Sequence, residues 1–78
     1  MDGLTDARIA AVIRTLADQR AGRSFCPSEA ARALTDDWRP VMPDVRRVAA
    51  GLADIKATQK GQEVDPLTAR GPIRLARR

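Results

Sequence analysis

The chain predicts an α+β fold in which three helices are followed by a small antiparallel β-hairpin or sheet. Apolar residues recur with helical spacing in three separate stretches ahead of Asp54. Beyond Asp54 the pattern changes to the alternation of a half-buried strand. Glycine and proline fall at the junctions between these stretches, where the chain has to turn.

The first helix is read from Thr5 to Arg20. Thr5 can cap it, Leu4 can staple onto Ile9, and Ile9, Ile13, Leu16 and Arg20 form a stripe widened by Val12 and Ala17. Gly22 ends it, because a residue without Cβ adopts the left-handed conformation at no steric cost. Arg23-Ser24-Phe25 is too short for a helix and is read as a small extended segment. In "CPSEAARAL" Pro27 suits a first helical position and Glu29 a first turn, while Ala30, Ala31 and Leu34 face inward. Asp36 or Asp37 can cap a short turn that Pro40 and Pro43 limit, and Trp38 is expected to plug the gap between helices.

The third helix begins near Pro43. Val45, Val48, Ala49 and Leu52 make its core stripe, with Arg46, Arg47 and Ala50 on the opposite face. Ile55–Gln59 alternates as a strand, Lys60-Gly61-Gln62 turns, and Glu63-Val64 can return. Asp65-Pro66 and Gly71-Pro72 are breaks, and Ile73–Ala76 alternates again. Helix, helix, helix, hairpin is the order of a winged helix-turn-helix, with the second and third helices as the turn unit and the hairpin as the wing.

At 78 residues the chain reads as one domain, residues 1–78. A domain of this size buries only ~60% of its unfolded surface, so its core is thin. Cys26 is the only cysteine, which excludes an internal disulfide and fits a reducing cytoplasm. The acidic opening Met1-Asp2-Gly3-Leu4-Thr5-Asp6 is unlike a secretory signal, and no apolar run is long enough to span a bilayer. Histidine and tyrosine are absent and the carboxylates are scattered. A serine or cysteine nucleophile would lack a histidine base, so the expectation is a non-enzyme with no cofactor and no metal.

Charge is unevenly spread. Residues 1–44 carry six basic and seven acidic side chains, whereas residues 45–78 carry eight and three, a net of +5. A basic half favours a polyanionic partner. Arg46 and Arg47 on the third helix, Lys56 and Lys60 on the hairpin, and Arg70 and Arg74 around the Gly71-Pro72 turn are the candidate contacts to duplex DNA. Each has a structural alternative: a solvated face or ion pairs with Asp44 or Asp54 for the helix pair, a solubilising turn for the lysines, and salt bridges to Glu29 or Asp44 for Arg70 and Arg74. The third helix offers no asparagine or glutamine to read adenine, so backbone contacts with little sequence preference are expected. Single strands need exposed aromatic platforms, and Phe25 and Trp38 are both expected inside. Cys26, beside Phe25, reads as a buried small hydrophobe, with a redox role as the alternative. The other partner class is an acidic protein, since the same scaffold also serves docking. Without an extra apolar helix, a monomer or weak homodimer is expected.

"CPSEAARAL", "WRPVMPDVRRVAAGLA", "TQKG" and "VDP" followed by "ARGPIR" resemble a small bacterial family of domains of unknown function. The resemblance runs from about Ile9 to Arg74 and is carried most specifically by "PSEAAR", "WR-x-x-MP-x-VR" and "RGPIR". It implies a winged-helix fold and a bacterial origin, and no activity. One departure is "ADIKAT", where the family pattern places a glycine between the third helix and the strand.

Overall fold

The structure, a computed structural model, describes residues 4–78. The reading of Met1-Asp2-Gly3 lies outside the described residues. Helix α1 spans Asp6–Gln19, and the Thr5 hydroxyl accepts from the Arg8 N–H at 3.2 Å as its cap. It buries Ile9, Ala10, Ile13 and Ala17, while Leu4, the expected staple, is 36% exposed. Backbone φ is positive at Ala21 and Gly22 (51° and 91°), so the chain reverses there, as the glycine predicted.

Helix α2 spans Pro27–Leu34, with Pro27 in its first turn. The Glu29 carboxylate accepts from the Cys26 N–H at 3.4 Å, closing one side of a capping box. Ala30 and Ala31 are fully buried, and their small side chains let α1 and α3 approach closely. A 3₁₀ turn, Arg39–Val41, leads into α3, Met42–Ala50, which buries Val45, Val48 and Ala49. Gly51 caps α3 with φ −87°, an ordinary right-handed value. The exit therefore needs no left-handed residue, and Ile55 N–H closes the turn on the Leu52 carbonyl at 3.1 Å. That is how "ADIKAT" is accommodated without a further glycine.

Strands β1 (Ile55–Gln59), β2 (Gln62–Val64) and β3 (Arg74–Arg77) form one antiparallel sheet in the order β2-β1-β3. Ala57 pairs with Val64 on one side and Leu75 on the other. Lys60 and Gly61 connect β1 to β2 with φ 53° and 83°, the two positive values of a type I′ turn. The extended segment expected at Arg23–Phe25 is realised as a single bridge in which Phe25 and Leu75 exchange two 2.8 Å hydrogen bonds. The inner face of the sheet, Ile55, Ala57 and Leu75, closes the core against the helices with Phe25 at its centre. Three helices followed by a small antiparallel sheet make an α+β fold, consistent with a winged-helix arrangement.

Trp38 differs from expectation. It is only partly buried, and the guanidinium groups of Arg32 and Arg39 lie over its ring at 4.5 and 4.6 Å from the centroid. The indole packs against the edge of the core, and the two guanidinium groups cover part of what stays open. No helix among the described residues is long and apolar enough to cross a membrane.

Candidate nucleic-acid interface

The two arginines of α3 do not project together into solvent. Arg46 is half-buried and reaches the loop between β2 and β3, donating to the carbonyls of Ala69 (2.9 Å) and Gly71 (2.6 Å). Arg47 forms a two-pronged pair with Asp6 (2.8 and 2.9 Å) and a longer bond to Asp44 at 3.3 Å. The contact with Asp44 was among the expected alternatives, and Asp6, at the start of α1, was not. The Arg47 guanidinium holds the Asp6 carboxyl below the usual carboxylate range, and the carboxylates in turn raise Arg47. Helical periodicity placed both residues away from the core stripe. It could not show that each long side chain has an internal partner, one on the β2–β3 loop and one at the start of α1.

The remaining four candidates separate. Lys56, half-buried on β1, lies near enough to Glu63 to lower its pKa, although the Arg78 fork at 2.7 and 3.0 Å is the main cause. Lys60 sits at the hairpin turn and Arg70 in the loop between β2 and β3, and both line one cleft with Gln59, Gln62, Val64 and Pro72. Among the described residues neither cation has an ion-pair partner. Arg74, which opens β3, lines a different cleft and donates to Ser24 Oγ at 3.0 Å and to the Ser24 carbonyl at 2.9 Å. It makes neither of the carboxylate bridges considered for it.

The loop that carries Arg70 is fastened from two sides. Arg46 of α3 binds the carbonyls flanking it, and the Gln59 amide of β1 donates to the carbonyls of Arg70 (2.6 Å) and Pro72 (3.2 Å). Gln59 was missed from the sequence, where its only signal is a polar residue ending a strand. A family model described as "Protein of unknown function (DUF3253)" matches residues 6–78. The chain belongs to the DUF3253 family. No curated protein matches it.

In this DUF3253 domain the fastened loop stands beside α3, tied to it by the two Arg46 bonds. Leu67 on the same loop is 61% exposed, next to Met42 and Pro43 of α3. Asp65 shapes this end of the loop, its carboxylate accepting from the Leu67 N–H at 2.9 Å. Cys26 is half-exposed rather than buried, with the Ser28 hydroxyl donating to its sulfur at 3.0 Å. Among the described residues no three histidine, cysteine, aspartate or glutamate side chains come together in a way that could hold a metal ion.

Proposed function

We propose that this domain is a cytoplasmic bacterial winged-helix module that binds duplex DNA through its phosphate backbone and catalyses no reaction. The observation that carries the reading is the fastening of residues 69–72 to α3 and β1 by Arg46 and Gln59. It supports a hairpin wing tied to the β2–β3 loop, with Lys60 and Arg70 lining one cleft and without a described ion-pair partner. Arg46 is then a positioning residue, holding the wing rather than touching the duplex. Arg47 contributes by exchanging Asp6 for a phosphate oxygen, since an exposed ion pair is worth only ~0–1 kcal/mol. Lys56 adds a further charge on the sheet. The bacterial origin is supported by arginine taking the place of lysine almost throughout, a habit of GC-rich genomes.

A second reading, a docking unit for an acidic protein, is favoured by the α3 surface itself. Leu67 is 61% exposed beside Met42 and Pro43 there, an apolar contact that a protein can use and a phosphate backbone cannot, and no side chain on that surface is suited to reading adenine. Titration of a fluorescent random-sequence duplex across a salt series separates the two. Three to four phosphate contacts give a slope of log K against log salt of roughly −2.7 to −3.6. The double change Lys60→Glu and Arg70→Glu removes binding while the melting temperature stays near that of the wild type. Absence of wild-type duplex binding at roughly 50 mM salt overturns the DNA reading and leaves the protein partner.

A further inference from the structure

Arg20, Arg23, Ser24 and Arg74 line an open cleft of about 660 Å³, apart from the one shared by Lys60 and Arg70. Its three guanidinium groups come from two parts of the chain, the exit of α1 and the start of β3. Arg20 is the C-cap of α1, Arg23 follows the Gly22 reversal, and Arg74 opens β3. The Phe25–Leu75 bridge brings the last two together.

The donors in this cleft are only partly used. Arg74 spends Nε and Nη2 on Ser24, which fixes its plane and leaves about three of the five guanidinium hydrogens unengaged. The Arg23 backbone N–H bonds the Arg20 carbonyl at 3.0 Å, but its guanidinium has no described hydrogen-bond or ion-pair partner, so its five donors are open to a ligand. Arg20 is held by Glu29 across the α1–α2 junction. Among the described residues Glu29 is the one carboxylate engaged with these three arginines, and it stays ionised because Arg20 lowers its pKa. Elsewhere Arg14, Arg47, Arg77 and Arg78 each have their own carboxylate. Three arginines less one glutamate leave the cleft two positive charges in excess.

We propose that this cleft binds a phosphate dianion, either inorganic phosphate or the terminal group of a phosphomonoester. A monoester carries roughly −1.5 to −2 at neutral pH, matching the local excess, whereas a backbone diester carries a single charge. Forked guanidinium donors suit its planar pairs of oxygens. The site uses none of the wing residues, so it stands whether or not duplex binding holds.

The test follows the Arg Nε–H signals of the ¹⁵N-labelled chain during titration with inorganic phosphate, AMP and dimethyl phosphate at constant ionic strength. Saturable shifts at Arg23 and Arg74 are expected with phosphate and AMP, and at least roughly tenfold weaker binding with the diester. Whichever of the first two binds more tightly names the source of the dianion. Arg23→Gln, which removes no described internal contact, is expected to weaken phosphate binding roughly tenfold and leave the melting temperature unchanged. Glu29→Gln keeps an oxygen to cap the Cys26 N–H while removing the competing charge, and is expected to tighten binding several-fold. Equal, unsaturable responses to phosphate and diester, or an Arg23→Gln affinity equal to the wild type, overturn the proposal.

Discussion

Arg46 and Arg47 are neighbours in sequence with different tasks. Arg46 ends on two backbone carbonyls more than twenty residues away, while Arg47 ends on two carboxylates. Replacing Arg46 with methionine keeps much of the stem packing and removes both bonds. The expected cost is about 1–2 kcal/mol of stability, since hydrogen bonds to a charged group contribute on that order and this one is half exposed. Under the DNA reading the same change weakens duplex affinity through a loosened wing. The salt slope should stay that of the wild type, because no phosphate contact is lost. A slope shallower by about 0.9 would instead make Arg46 a direct phosphate contact. The sequence placed Val45, Val48 and Ala49 in the core because burial follows the helical period. It could not place Arg46 or Gln59, because their partners are backbone carbonyls, which carry no side-chain signature.

Among the elements, the β1–β2 hairpin is the most explicit. Lys60 holds φ at 53°, a conformation that costs a residue with a Cβ roughly 1–2 kcal/mol. Lys60→Gly is therefore expected to stabilise the fold by about 0.5–1 kcal/mol while weakening duplex binding and lowering the salt slope, so stability and affinity move in opposite directions. Thermal melts paired with the salt series check both. This turn was legible, because Lys60-Gly61 follows an alternating run and precedes a short return, although Gln62, read as part of the turn, already belongs to β2. The helix ends were legible too: Thr5, Gly22 and Pro27 act where cap chemistry puts them. The Arg23–Phe25 segment was legible as extended backbone but not in how little of it pairs, since β3 offers it pairing only at Leu75. Trp38 does pack against the core but is only partly buried, and part of its covering comes from two guanidinium groups, which hydrophobic patterning does not count.

For the molecule as a whole, the ion pairs set the response to acid. Asp6, Glu29, Asp54 and Glu63 all have pKa values lowered chiefly by hydrogen bonds from Arg47, Arg20, Arg14 and Arg78 respectively. A carboxylate with a lower pKa folded than unfolded contributes stability above its unfolded value of ~4, and that stability is lost as pH falls through the folded value. With no histidine in the chain, little titrates between about pH 5 and 8. Melting temperature is therefore expected to be flat over that range and to drop below about pH 4, by less at high salt because these pairs are exposed. A transition centred near neutral pH would contradict this charge map.

The bridge between Phe25 and Leu75 also bears on how the fold assembles. Helical turns close over a few residues, whereas this contact encloses 50, and shutting a loop of that length costs roughly 3 kcal/mol of chain entropy. Both side chains are wholly enclosed. The middle of the core is thus closed by segments far apart in sequence, and a contact this non-local forms more slowly than one made within a helix.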